Sequence, residues 1–169
     1  MFKVKHSTMV FISGIVWLIV GCVLLPLGLN FVLSPLKDSS VSSYPLLHFF
    51  SSWAGGFEEG ATLLIAFALA LGFLKGRFVF AKSVQRSVQR IVSLPNPSEI
   101  TKIYAFSYYL LLGSMFFLGY LVKFLPVDVR GGVDIVIGSA LINGAILYFR
   151  QAWNLRHQES QPHFKEKTF

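Results

Sequence analysis

Between residues 57 and 93 the sequence changes character once, and that change limits the folds open to the whole chain. Residues 60–74 carry no charged side chain and are almost wholly apolar, whereas Lys75, Arg77, Lys82, Arg86 and Arg90 follow with no acid among them. As one helix, residues 57–93 would measure about 55 Å at 1.5 Å per residue, against a bilayer hydrocarbon core of about 30 Å. A helix that crosses the membrane and then leaves it as, or turns into, a basic amphipathic helix satisfies both facts. Of the 169 residues, 54% are hydrophobic and only 14% charged, too apolar a balance for a soluble domain of this size. The sequence therefore predicts an all-α, polytopic membrane protein with four transmembrane helices in a single membrane domain, 1–169.

The spans are expected at about 9–33, 57–75, 103–122 and 133–150, with a cytoplasmic basic segment at 75–102 and a mobile tail at 151–169. Lys3 and Lys5 precede the first apolar run, which is too long for a signal-peptide core and lacks a small-x-small cleavage site, so it is expected to stay as a span. Gly14, Gly21 and Gly28 recur every seven residues and fall near one another on one helix face, where a neighbouring backbone can approach closely. Pro26 removes the donor to the carbonyl of Cys22, which predicts a kink at that level. Cys22 is the one cysteine, so the chain can form neither an internal disulfide nor a thiolate cluster, and it is expected to be a small buried packing residue.

The first connection, 34–56, holds Ser-Pro, Lys-Asp-Ser-Ser and Ser-Ser-Tyr-Pro breakers, yet 45–53 is very apolar. That part is too short to span and reads as interfacial or re-entrant, with Tyr44 and Trp53 at headgroup level. In the second span Gly60, Leu64, Ala68, Gly72 and Gly76 fall four apart and form a mostly small stripe suited to helix packing. Beyond it the tetrapeptide Ser-Val-Gln-Arg occurs at 83–86 and again at 87–90, keeping Lys82, Arg86 and Arg90 apart from Val84, Val88 and Ile91. Such a helix either lies on an anionic surface with its cations toward lipid phosphates or only completes a topology signal. The prolines at 95 and 97 stop it, and Asn96, Pro97 and Glu99 fit the N-cap, N1 and N3 positions of the next helix. Arg130-Gly131-Gly132 reads as a breaker before the fourth span.

Lysine and arginine number two before the first span, one in the first connection, six from 75 to 102, two in the third connection and four in the tail. Positive charge lies inside, so both termini are expected to be cytoplasmic, in the plasma (inner) membrane if the source is bacterial. The net charge of +7 does not require nucleic acid as a partner, because most of the excess flanks apolar spans, where topology and anionic headgroups account for it.

Residues 64–72 (LIAFALALG) align without gaps on 136–144 (VIGSALING), and Leu27-Gly28 can be set against Leu118-Gly119, the pattern of a duplicated two-helix hairpin. Charge inside the spans is nearly absent. Glu58, Glu59 and Asp134 lie near the outer ends of their helices, either as helix-start acids or as a cation-attracting outer mouth. Ser139, Asn143 and Arg150 lie within about 40° of one another on a helical wheel and form a polar stripe, either glue between helices or the wall of a wet path. Ala140 and Gly144 add a small patch on another side. His48 with Glu58 or Glu59 is a weak metal pattern, so no metal and no cofactor are expected. No nucleophile, phosphate-loop or zinc-protease motif occurs, and no enzyme activity is expected. The sequence leads to a non-enzymatic accessory or assembly component acting through helix packing and a basic cytoplasmic surface, with the bilayer, anionic headgroups and another copy or membrane protein as partners. The alternative is a small oligomeric channel or transporter with its path at Ser139 and Asn143.

Overall fold

The computed structural model describes residues 3–37, 44–93, 98–99, 117 and 119–160. Among these, three helices are long and apolar enough to cross a membrane, His6–Leu36, Phe57–Val92 and Val127–Gln158. The architecture is helical apart from a two-residue antiparallel ladder, Lys3 opposite Glu99 and Val4 opposite Ser98. In order, the chain forms α1 (His6–Leu33), α2 (Pro45–Ala54), α3 (Phe57–Lys75), a π-helical turn (Gly76–Phe80), α4 (Ala81–Val92) and α5 (Val127–Ser160). The third expected span, 103–122, lies outside the described residues except for its last few.

α5 is the centre. Half of its most apolar window is buried, against 28% and 24% for the other two long helices. It is also the least apolar of the three, which fits an interior helix whose neighbours face lipid. α1 runs antiparallel to it with backbone against backbone. A Cβ added to Gly28 would lie 2.8 Å from the carbonyl oxygen of Gly131, one added to Gly131 would lie 2.8 Å from the oxygen of Gly28, and one added to Gly138 would lie 2.8 Å from the nitrogen of Leu25. A Cβ on Gly21 would meet the Gly138 oxygen at 2.9 Å, and one on Gly14 would meet Phe149 and Tyr148. The two helices thus each carry a sevenfold ladder of small residues, Gly28, Gly21 and Gly14 on α1 and Gly131, Gly138 and Ala145 on α5. For helices in a bilayer, apolar side chains gain nothing by leaving lipid for another apolar surface, and close van der Waals contact of this kind is then what holds a pair.

α3 runs parallel to α5 on another side. A Cβ on Gly72 would strike Ser139 Oγ, and one on Gly76 would lie 2.9 Å from Asn143 Cβ and 3.0 Å from the Ala140 oxygen. Leu64 and Ala68 of the same stripe are buried with Ala61, Leu47, Val32 and Ile135. α2 folds back along α3 through Gly55, whose φ of 86° lies in the left-handed region that favours glycine, and Gly60 abuts the backbone of Ser51. At ten residues α2 is about 15 Å long, half of a span, and Trp53 at its end is 83% exposed.

Past the π-turn, α4 continues to the far end of the bundle. Phe80 sits against Gly144 and edge-on to Trp17, with ring centroids 5.9 Å apart. Val84, Val88 and Ile91 are buried with Met9, Val10, Tyr148 and Ala152. The apolar line of α4 is therefore turned to the protein, which removes the face such a helix needs to lie in a membrane surface.

Three further expectations change. Arg130-Gly131-Gly132 does not break the chain but lies within α5, because the backbone contact with Gly28 makes glycine the fitting residue there. The helix that was expected to end near residue 150 continues to Ser160, with Ala152 packed against α4. Cys22 is exposed. Helical structure continues through Pro26.

Gly21→Leu or Gly131→Leu forces side-chain atoms into an opposing backbone and is expected to cost about 1–3 kcal/mol. Val23→Ala, at a position 62% exposed, should change stability by less than about 0.5 kcal/mol. Thermal unfolding of the purified variants in detergent distinguishes the two.

Candidate functional site

The polar stripe of α5 meets the glycine stripe of α3. Ser139 Oγ donates to the Val136 carbonyl at 3.2 Å, within its own helix, and Asn143 Nδ2 donates to the Phe73 carbonyl of α3 at 3.1 Å. Gly72 and Gly76 leave room for these two side chains. Both side chains border an open groove of about 450 Å³ whose other walls, Leu25, Leu69, Phe73, Ile142 and Ile146 among them, are apolar. Arg150, third in the stripe, is exposed and distant from that contact along the helix. Ala140 lies against Gly76, and Gly144 against Phe80. The aligned glycines Gly72 and Gly144 touch different partners, and the span to be set against α1 lies outside the described residues except for its last few.

At the α2 end, the acids do not converge. Glu58 and Glu59 are exposed in the first turn of α3. Asp134 is buried in α5, roughly 140° around that helix from Ser139. With Gly72 level with Val136 and Ser139, Asp134 stands about 15 Å along the bundle from the two glutamates. His48 is exposed. Among the described residues no three His, Cys, Asp or Glu side chains form a metal-holding group.

The acid that organises this end is Asp128. It is fully buried, and its Oδ2 accepts the backbone N–H groups of Leu46 at 2.7 Å and Leu47 at 3.0 Å. Its Oδ1 accepts the N–H of Val129 at 2.9 Å. The first turn of α2 is thereby fully accounted for: Pro45 has no N–H, Leu46 and Leu47 donate to Asp128, and His48 donates to the Tyr44 carbonyl at 2.9 Å. One carboxylate so caps α2 from another helix while sitting in the first turn of α5, where both helix dipoles favour its charge. Two residues later, the Arg130 guanidinium lies 4.4 Å from the centre of the Phe31 ring and ties α5 to the end of α1. Sequence reasoning passed over Asp128. Its position after Pro126 marks a helix start, but its partners lie more than 80 residues away and leave no local sign.

At the opposite end, Lys82, Arg86 and Arg90 are exposed on the side of α4 away from the buried Val84, Val88 and Ile91. Anchored by that apolar line, the three cations form a ridge on a held helix. Comparison with protein-family models, curated proteins and solved structures finds no match to this chain.

Asp128→Ala leaves the two α2 donors unpaired and is expected to cost about 1–3 kcal/mol. Hydrogen exchange at Leu46 and Leu47 should rise sharply while exchange in the α1–α5 pair stays slow. Asn143→Leu removes one interhelical bond and should cost about 1 kcal/mol, read from unfolding in detergent.

Proposed function

We propose that this chain is a non-enzymatic integral membrane protein, an accessory or assembly component that works through helix packing and a basic cytoplasmic surface. The observation that carries this is the use made of the polar groups in the middle of α5. Ser139 and Asn143 border a groove beside the glycines of α3, but both donate to backbone carbonyls and the rest of its lining is apolar. A conducting path needs polar groups turned to water along its length, and here Ser139 is bonded within α5 and Asn143 to α3. The small-residue faces of α1, α3 and α5 are likewise taken up within the chain, so the partner surface falls to the cationic ridge of α4.

The topology in this proposal has four spans. α3 and α5 run in the same direction, so the chain between Val92 and Val127 has to start at one end of the bundle and finish at the other. A crossing near 103–122 provides that return. The positive-inside rule then places both termini and α4 in the cytoplasm, with α2 on the opposite side.

Reversing Arg86 and Arg90 to Glu should weaken capture of anionic vesicles by the nanodisc-embedded protein at least about tenfold at fixed low salt. Unchanged capture would leave the ridge with a topological role only. In a flux screen of the reconstituted chain no ion or small solute is expected to move. A flux abolished by Asn143→Leu without loss of folded protein would replace this proposal with the channel.

A further inference from the structure

The small-residue ladder between α1 and α5 has a last rung beyond Gly14. Ser7 on α1 and Ala152 on α5 continue the sevenfold spacing, and both are buried. The residues flanking that rung are large. Phe11 and Phe149 stack with ring centroids 5.2 Å apart, and Trp153 stands one turn further along α5. Bulky rings beside a narrow rung leave a gap, and the result is a cavity of about 620 Å³, within the size range of ligand sites.

Its lining is divided. Phe11, Phe149 and Trp153 make an apolar wall, while Lys5, Thr8 and Arg156 supply two cations and a hydroxyl, and among the described residues no acidic side chain lines it. The first turn of α1, which borders the cavity, contains no acid and no capping side chain, so its helix dipole adds potential of the same sign. Cations and a hydroxyl are the donors that hold a phosphate, and the aromatic wall suits the ester-bearing start of acyl chains. The cavity also lies where two helices apolar enough to span a membrane reach their ends, the level at which Trp, Lys and Arg meet headgroups.

We propose that this cavity binds the headgroup of an anionic phospholipid, with its phosphate among Lys5, Thr8 and Arg156 and the start of its chains against Phe11, Phe149 and Trp153. The site rests on the proposed placement of this end at the cytoplasmic interface, but it uses none of the cations of α4.

The test is native mass spectrometry of the full chain in detergent, titrated with phosphatidylglycerol and with phosphatidylcholine of the same acyl chains. Phosphatidylglycerol should be retained in preference, and Lys5→Gln with Arg156→Gln should reduce that retention about tenfold at an unchanged melting temperature. Arg86→Glu with Arg90→Glu should leave retention intact while lowering vesicle capture, which separates this site from the ridge. If the glutamine pair fails to fold, Thr8→Val is read in its place and should lower retention severalfold. Equal retention of the two lipids, or no loss in the site variants, overturns the proposal. Equal loss in the α4 variant hands the effect to general surface charge. Competition by glycerol phosphate at matched concentration overturns the lipid and moves the site to a soluble phosphate ester.

Discussion

The contact on which the structure depends is that of two helices, α1 and α5, whose backbones approach each other closely at their glycines. In a soluble protein an apolar face alone would drive such a pair together; in lipid it would not, because the tails are as apolar as leucine. What remains is the density of contact that glycine allows, repeated along two antiparallel ladders. With α5 fixed in this way, its other faces become the sites on which α3, α2 and α4 assemble. α3 fits through Gly72 and Gly76, and α4 through Phe80 on Gly144.

The two ends of the bundle are held by different physics. At the α2 end, an ionisable group is buried, which is costly unless its acceptor sites are filled. Three backbone donors and two helix dipoles fill those of Asp128, and a loop helix half a span long is held in place through it. At the α4 end, an apolar line of valines and isoleucine holds a helix whose opposite face is cationic, so charge is displayed without being drawn into the core.

The sequence made the small-residue faces legible because their cause is local: a glycine every seven or four residues has few uses in an apolar helix other than close approach. The three described apolar helices were equally plain from length and composition. What escaped were features decided by distant partners. Arg130-Gly131-Gly132 has the letters of a breaker, and only Gly28 on another helix makes it continuous. Residues 151–160 look like a tail until Ala152 is seen to have α4 beside it. Cys22 looked like a packing residue, but no period distinguishes the face of α1 turned to α5 from the one turned away, apart from the glycines themselves. Asp128 could be read as a helix start, not as the cap of α2.

The pairing of α1 with α5 also sets an order of assembly. The glycines of α1 meet a helix made about a hundred residues later, which at ribosomal rates of roughly 5–20 residues per second means a wait of about 5–20 s. During that time the narrow face of α1 has no proper neighbour in the bilayer, while α2 and α3, joined by a two-glycine turn, can already pair. The bundle therefore closes late, with its last long helix entering as the centre, and a chain stalled before α5 would hold the outer pieces with nothing between them.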